Sequence, residues 1–438
     1  MSQALGRSFK QHLLGGYRFL MRHYRKDTEI YIFGFSRGAY TACFLAEMLD
    51  YSGLLGPDNE EMIPFIWKAF SDFKLVRFQT DMEKKKDAVK FLKSCRDTLS
   101  RAAARVKFLG VFDTVNSVAE FEVDNKFGDN ANVTRHAVSI DERRVKFQPV
   151  LLKKRRQRHR RHPRLWNLHH HLEKKPDSND PQPAVPPSET THCKESDKPS
   201  EKRSTHVQSQ ENQDGKADDV QDKESTTDEP DDDEVDELEV WFPGCHADVG
   251  GGNKMGDKEI WQLSHAPLVW MVQEATKAGL RFDWTPLKLY NCLEPPEESA
   301  ERRDYLDALY HSSATGILND RLKSGSGVSM ISALAWNILE YIPIRHVEIQ
   351  KDGGSTTMHF PLHLGEPRGV PLDALVHVSA IRRMQHNTDY RPGNLIVGGG
   401  GREVLKAPPE LGLGDWVAKY NIDDPAQELY VRMSAQFR

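Results

Sequence analysis

The chain consists of blocks with helical periodicity separated by short apolar runs that predict buried strands. Apolar residues recur at helical spacing from about Gln3 to Tyr24, which predicts an amphipathic helix packed against the strand that follows. That strand is the β-branched and aromatic run Ile30–Phe35, and an Ala-rich segment of helical character comes directly after it. Val106–Val115 and Leu238–Phe242 are further strand patterns. Strands separated by helical segments predict an α/β fold with a mostly parallel sheet flanked by helices.

Four other segments have helical patterns. The charged region from Asn59 to Arg105 predicts a helical layer that covers the sheet, and Thr134–Arg144 is interpreted as a helix with a charged end. Trp261–Gly279 predicts a helix closed by Ala278-Gly279-Leu280 in the style of a C-cap. Met330–Ile342 predicts a strongly apolar helix, for which core packing is the default interpretation and a lid or lipid-contacting surface is the alternative.

Composition changes abruptly between about Leu152 and Leu238. A basic block at residues 153–162 leads into a polar mixture and then an acidic run. Apolar residues are too scarce there to offset the entropy cost of ordering the chain. We therefore expect a disordered charged insertion at residues 152–237, inside one domain built from residues 1–151 and 238–438. The basic block is either a nuclear-localisation or anionic-surface patch or a solvated linker.

Net charge and cysteine usage exclude several classes of function. The formal net charge is -5, from 60 basic and 65 acidic residues, so no chain-wide positive field recruits nucleic acid. The five cysteines are widely spaced and include no Cys-x-x-Cys pair, which is typical of a reducing compartment without a disulfide framework or zinc site. We see neither a signal peptide nor an apolar run of about 20 residues. These features predict a cytoplasmic protein, or a nuclear one through residues 153–162.

Ser36 is the candidate nucleophile. It is the centre of Gly34-Phe35-Ser36-Arg37-Gly38, a Gly-x-Ser-x-Gly turn between a strand and a helix. A nucleophile elbow requires this context, and side chains at Gly34 and Gly38 are expected to collide with the neighbouring strand and helix. The amide of Arg37, at the start of the helix, is the expected donor to an oxyanion.

Two later strand ends contain the candidate acid and base. Asp113 ends a buried-strand pattern, where functional groups gather in open α/β sheets, although it could instead cap the next turn. His246 precedes three glycines, and we expect a mobile loop that lets its imidazole reach the hydroxyl. The order Ser36, Asp113, His246 is that of the α/β-hydrolases and favours catalysis. A metal pair of His246 and Asp248 is the alternative.

Several other polar residues have less support as site residues. His377 is the reserve candidate for the base, and Arg382 or Arg383 could bind an anionic group. Neither His377 nor the arginines follow a strong strand pattern, so they rank below His246. His136 and Asp141 are interpreted as structural polar groups.

Four segments together carry a family resemblance. They are Gly34–Ala42, Gly110–Val115, His136-Ala137 with Asp141–Arg144, and Trp241–Gly252. In this order they resemble the uncharacterised α/β-hydrolase domain family of fungi and bacteria, which includes the type VI secretion phospholipase effectors, effector family one. The match extends over nearly all of the chain that is expected to fold.

The resemblance implies an α/β-hydrolase-like fold and hydrolysis of ester bonds, which in the effectors are those of phospholipids. Carried over by position, it implies Ser36 as nucleophile, His246 as base and Asp113 as the acid that orients the imidazole. Asp248 belongs to the same pattern and is the alternate acid.

The chain departs from the family pattern in two respects. Members usually open with a strand ending in an Asp-Gly-Thr type motif, so we expect a sheet from which the N-terminal strand or strands are missing. In hydrolases of this class an early strand–helix loop supplies one oxyanion donor. The second departure is the long charged insertion between the acid and the base.

The sequence therefore predicts a serine ester hydrolase, phospholipase-like or lipase-like, that works by acyl transfer without a metal or organic cofactor. The expected partner is an ester or phospholipid substrate, with peripheral membrane contact as an additional expectation and no specific nucleic-acid binding. The alternative is a catalytically impaired hydrolase fold that serves as a binding or scaffold module through its charged segment.

Overall fold

A computed structural model describes residues 2–76, 82–101, 105–115, 130–152, 236–257, 259–323, 330–340 and 365–433. The helices in these ranges are α1 (Ser2–His23), α2 (Arg37–Ser52), α3 (Ile63–Val76), α4 (Met82–Leu99), α5 (His246–Gly250), α6 (His265–Lys277), α7 (Trp284–Leu289), α8 (Glu301–Thr315), α9 (Met330–Glu340) and α10 (Val378–His386). The strands are β1 (Ile30–Phe35), β2 (Leu54–Leu55), β3 (Ser100–Arg101), β4 (Val106–Phe112), β5 (Ala131–Ser139), β6 (Asp236–Phe242), β7 (Leu375–His377), β8 (Trp416–Tyr420) and β9 (Leu429–Arg432).

The central sheet has seven strands in the order β1-β4-β5-β6-β7-β9-β8. The first five pair in parallel, and β9 pairs antiparallel with both β7 and β8. Phe35 is opposite Phe112, and Phe112 is opposite Ala137, so the carboxyl ends of β1, β4 and β5 lie side by side. The predicted α/β class with a mostly parallel sheet is confirmed. The candidate site residues follow strands of this sheet, so they lie at this carboxyl end of the parallel strands.

The prediction of a helix over Thr134–Arg144 is wrong, because Ala131–Ser139 form β5 in the middle of the sheet. Residues 134–139 are all buried. A strand that is buried on both faces lacks the two-residue alternation of a half-exposed strand. The charged residues of this segment therefore have a spacing that is also expected for the polar side of a helix. One of them, Arg135, is neutralised by Glu274, with Nε 2.5 Å from Oε2.

Helix α1 packs principally on α2 rather than on β1 as predicted. The ring of Phe9 lies 5.6 Å from that of Tyr40 and 5.3 Å from that of Phe44. The hydroxyl of Tyr17 donates to the carbonyl of Gly53 at 2.9 Å. The first helix therefore supports the helix that follows Ser36.

The helical layer predicted between Asn59 and Arg105 is present as α3 and α4. Ile66, Phe70 and Phe73 are buried, whereas Phe65 is exposed. Helix α6 is shorter than predicted and begins at His265. Its predicted C-cap is confirmed, because Gly279 has a φ of 100° and the Leu280 amide donates to the Ala275 carbonyl at 3.0 Å.

Helix α9 differs from the default expectation of core packing. Four of its apolar side chains are exposed, namely Met330, Ile331, Leu334 and Ile338. The opposite side includes the buried Ala333 and the half-buried Trp336. This exposure agrees with the alternative interpretation, a lid or lipid-contacting surface.

Strands from both sides of the expected insertion join one sheet, since Val133 of β5 is opposite Asp236 of β6. Strand β6 begins at Asp236, before the expected Leu238. Residues 153–235, including the basic block, lie outside the described residues. The division at residues 152 and 237 therefore stays a prediction.

Candidate active site

Ser36 lies in the turn between β1 and α2 with φ 61° and ψ -126°. Such backbone angles cost a non-glycine residue about 1–3 kcal/mol and occur at functional turns. A Cβ on Gly34 would lie 2.5 Å from the Cα of Ala39, so glycine is required there. A Cβ on Gly38 would meet nothing within 4 Å, so the predicted collision at Gly38 is wrong.

The carboxyl ends of the strands bring three of the predicted residues together. Oγ of Ser36 lies 2.7 Å from Nε2 of His246, and Nδ1 of His246 lies 2.5 Å from Oδ2 of Asp113. His246 is 5% exposed and Asp113 is fully buried. In this arrangement the imidazole can accept the hydroxyl proton while the carboxylate stabilises the imidazolium.

Asp113 is held from several directions. Its φ is 42°, its amide donates to the Ala137 carbonyl at 2.7 Å, and Oδ1 accepts the Ser139 amide at 2.9 Å. The buried Arg368 donates to Oδ1 at 2.6 Å and to Oδ2 at 3.0 Å. Burial by itself raises the pKa of Asp113, but Arg368 and His246 outweigh burial and hold this pKa well below its ordinary value. The carboxylate is therefore ionised at neutral pH.

His246 is the first residue of α5 and does not lie in the mobile loop that we predicted. Its imidazole contacts two rings, those of Phe35 and Phe147, each with its centroid at 4.7 Å. Its amide donates to Oε2 of Glu142 at 3.2 Å. Aromatic contacts and a fixed backbone thus orient the imidazole between the hydroxyl and the carboxylate.

Asp248 does not contact the imidazole, so its assignment as the alternate acid is not supported. One of its oxygens accepts the amides of Cys245 and Asn319, each at 2.9 Å, and the other accepts the side chains of Asn253 and Asn319. Through these hydrogen bonds, Asp248 stabilises the positions of the residues around His246. Within the described ranges, no three His, Cys, Asp or Glu side chains are grouped as a metal site.

Both ring nitrogens of His377 are hydrogen-bonded to groups other than Ser36, Asp113 and His246, and its role as reserve base is not supported. His377 ends the three-residue strand β7, where the sequence indicates no strong strand pattern. Its Nδ1 accepts the Ser379 amide at 3.2 Å, and its Nε2 donates to the Ala426 carbonyl at 3.0 Å. Burial lowers the pKa of His377 to about 3, so the neutral ring caps α10.

The two candidate anion-binding arginines bind backbone carbonyls instead. Nη1 of Arg382 donates to Pro425 at 2.9 Å, and Nη1 of Arg383 donates to Gly316 at 2.9 Å. The expectation that His136 and Asp141 are structural agrees with their contacts. His136 accepts the Thr114 amide at 3.3 Å, and Asp141 accepts the Tyr390 hydroxyl at 2.7 Å.

Two further residues contact the site without any signal in the sequence, Arg368 and Phe147. Arg368 is 255 residues from Asp113 and lies outside any helix or strand. Phe147, in a 3₁₀ turn, contacts the imidazole with its ring and accepts from Arg368 with its carbonyl. No motif or periodic spacing could have indicated either contact.

A cavity of about 500 Å³ opens beside the serine. It is lined by Ser8, Phe9, His12, Phe35, Ser36, Arg37, Gly38 and Thr41. Arg37 is the first residue of α2, where backbone N–H groups have no acceptor within the helix. Space for a substrate and a free amide therefore adjoin the hydroxyl.

Comparison with known proteins identifies the family. The model of the family described as T6SS, phospholipase effector Tle1-like, catalytic domain matches residues 1–274. This chain belongs to the Tle1-like family. The match indicates a phospholipase-like hydrolase; the matched residues include Ser36, Asp113 and His246 and end before Arg368.

Other comparisons add one relative. An uncharacterised protein of Saccharomyces cerevisiae is 25% identical over 483 residues, covering 89% of this chain and 69% of that protein. No solved structure matches the chain. Among the described residues, no helix is long and apolar enough to cross a membrane.

Proposed function

We propose that this chain is a serine ester hydrolase of the lipase or phospholipase type, with Ser36 as nucleophile, His246 as base and Asp113 as the orienting acid. One observation carries the proposal, the continuous hydrogen-bonded chain from the Ser36 hydroxyl through both imidazole nitrogens to the Asp113 carboxylate. The Tle1-like family match supports the reaction class.

The proposed reaction is two-step acyl transfer. Nε2 of His246 takes the Ser36 proton as Oγ bonds to the ester carbonyl carbon, and the resulting oxyanion accepts from the Arg37 amide at the N-terminus of α2. His246 then returns the proton to the departing alcohol, which leaves an acyl-serine. Water, deprotonated by His246, attacks the acyl carbon, and the serine recovers its proton as the acid departs.

We propose that the substrate is presented at a lipid surface. The exposed apolar side chains of α9 point away from the protein, while Trp336 on the same helix lies 5.7 Å from the ring of Phe147. Phe147 in turn contacts His246. A helix whose exposed side contacts lipid would therefore be linked to the proposed base through two aromatic rings, those of Trp336 and Phe147.

A fluorophosphonate probe tests the nucleophile. We expect it to label the folded chain, to lose all labelling in Ser36→Ala, and to label Ser8→Ala like the wild type, since Ser8 lines the same cavity. Hydrolysis of a short-chain chromogenic ester should likewise be lost in Ser36→Ala and retained in Ser8→Ala. A cooperatively folded wild-type chain without labelling or hydrolysis would instead support the binding or scaffold alternative.

A further inference from the structure

We infer that Arg368 is a positioning residue of this site: it fixes the orientation of the Asp113 carboxylate and balances its charge, so that the carboxylate presents one oxygen to His246. This inference rests on the proposed function. It concerns a residue that lies outside the range matched by the family.

Arg368 and Asp113 form an ion pair in which both partners are buried. Arg368 is 1% exposed and Asp113 is 0% exposed. The guanidinium addresses both carboxylate oxygens, at 2.6 Å and 3.0 Å. A planar fork of this kind fixes the plane of a carboxylate, which a single ammonium cannot do.

One oxygen of the Asp113 carboxylate accepts from two donors. Oδ2 of Asp113 accepts from Nδ1 of His246 and from Nη2 of Arg368. The guanidinium therefore limits the negative charge that the imidazole experiences. Without it, the unbalanced carboxylate would attract the positively charged imidazolium more strongly than the neutral ring.

Arg368 is itself held in place by further hydrogen bonds. Nη1 also donates to the Ser139 hydroxyl at 2.7 Å, and Nη2 donates to the Phe147 carbonyl. The carbonyl of Arg368 accepts from Asn394 at 3.0 Å. Since the Phe147 ring contacts the imidazole of His246, Arg368 links the acid, Asp113, to a residue that packs against the base.

Four full-length proteins test the inference: the wild type, Arg368→Met, Arg368→Lys and Arg135→Lys. Arg135 is the matched control because it is also a buried arginine paired with a buried carboxylate, that of Glu274. Its second partner, Asp236, is the first residue of β6 and so lies at the amino end of the parallel strands, opposite the end where the site lies. The assays are kcat on p-nitrophenyl butyrate, the pH profile of kcat/KM on the same ester, and the far-downfield proton resonance of a His–Asp hydrogen bond, with His246→Gln as the reference for its loss.

For Arg368→Met we expect kcat to fall by about 10²-fold, because small displacements of a catalytic group cost about that much. The acid limb of the profile should move up by about one pH unit or more. Arg368→Lys keeps the charge, so its acid limb should stay near the wild-type position while kcat remains reduced. Both Arg368 variants should shift or lose the downfield resonance, and Arg135→Lys should match the wild type in all three measurements.

The inference is overturned if folded Arg368→Met retains the wild-type acid limb and resonance. Should Arg368→Met fail to fold, wild-type kcat in Arg368→Lys overturns it equally. Failure of the proposed function looks different, because the wild type would then be inactive. In that case the resonance still decides whether Arg368 positions Asp113.

Discussion

Replacement of Asp113 by Asn is the most informative single change. The carboxylate accepts four hydrogen bonds, from His246, from the Ser139 amide and twice from Arg368. An amide has only one accepting atom, and in either orientation its NH₂ group faces donors. With the amide oxygen towards His246, the NH₂ group faces the Ser139 amide and Arg368, and the side chain is pushed away from its position. With the NH₂ group towards His246, the substitution loses that contact or forces the wrong imidazole tautomer.

The expected loss of kcat is about 10⁴-fold, the size seen when an orienting acid of this kind is neutralised, which corresponds to about 5 kcal/mol in the barrier. Stability should fall as well. Arg368 is buried and loses its counter-ion, and the removal of one partner of a buried pair costs about 3–5 kcal/mol.

The pH dependence of stability gives a second test of the same residue. Because the folded pKa of Asp113 is depressed, its contribution is complete above the unfolded pKa of about 4 and is lost as the pH falls below that value. The free energy of unfolding should therefore decline below about pH 4 in the wild type, and this component should be absent in Asp113→Asn.

The assay combines kcat per folded molecule on a chromogenic ester with urea unfolding monitored by fluorescence. Glu274→Gln is the control, since Glu274 is a buried partner of Arg135 away from the serine; it should lose stability without loss of kcat. Folded Asp113→Asn that retains more than about a tenth of the wild-type kcat, against the loss expected for such an acid, would refute the role of Asp113.

Three further changes have defined outcomes. Gly34→Ala places a Cβ against backbone and should destabilise the fold by about 1–3 kcal/mol, whereas Gly38→Ala has open space and should be neutral or stabilising by up to about 1 kcal/mol; urea unfolding distinguishes them, and equal effects would contradict the turn geometry. His377→Asn keeps a helix cap and should leave the activity profile unchanged, while stability loses the component that falls from about pH 6.5 towards pH 3 as the unfolded imidazole binds a proton; an altered profile would return His377 to the site. Replacing both Ile331 and Leu334 by Glu should reduce sedimentation with phosphatidylcholine vesicles without reducing hydrolysis of a dissolved ester, and unchanged sedimentation would exclude this face of α9 as a lipid contact.

The local chemistry of the site followed from short-range patterns. The run Ile30–Phe35, the glycine at position 34 and the helical segment after Ser36 specify a strand, a tight turn and a helix within a few residues of each other. Asp113 and His246 could be selected because each follows a strand pattern, and parallel strands end at a common edge. Local sequence was therefore sufficient to select the candidate nucleophile, acid and base.

Local sequence failed where burial overrides periodicity. The residue pattern of β5 indicates a helix, because its neighbours in the sheet, and not its own alternation, determine its structure. The pattern of α9 indicates a core helix, because an apolar helix alone does not reveal which of its sides is covered.

The choice of acid was also a tertiary matter. Asp248 is much nearer to His246 in sequence, yet it bonds to the Asn319 amide at 2.9 Å, while Asp113 reaches Nδ1 across the sheet edge. Arg368 is the clearest case, because its contact with Asp113 joins positions 255 residues apart. The sequence by itself determined the nucleophile turn and the candidate acid and base; the packed sheet decided how they are oriented, since long-range contacts between buried charges leave no periodic signal in the chain.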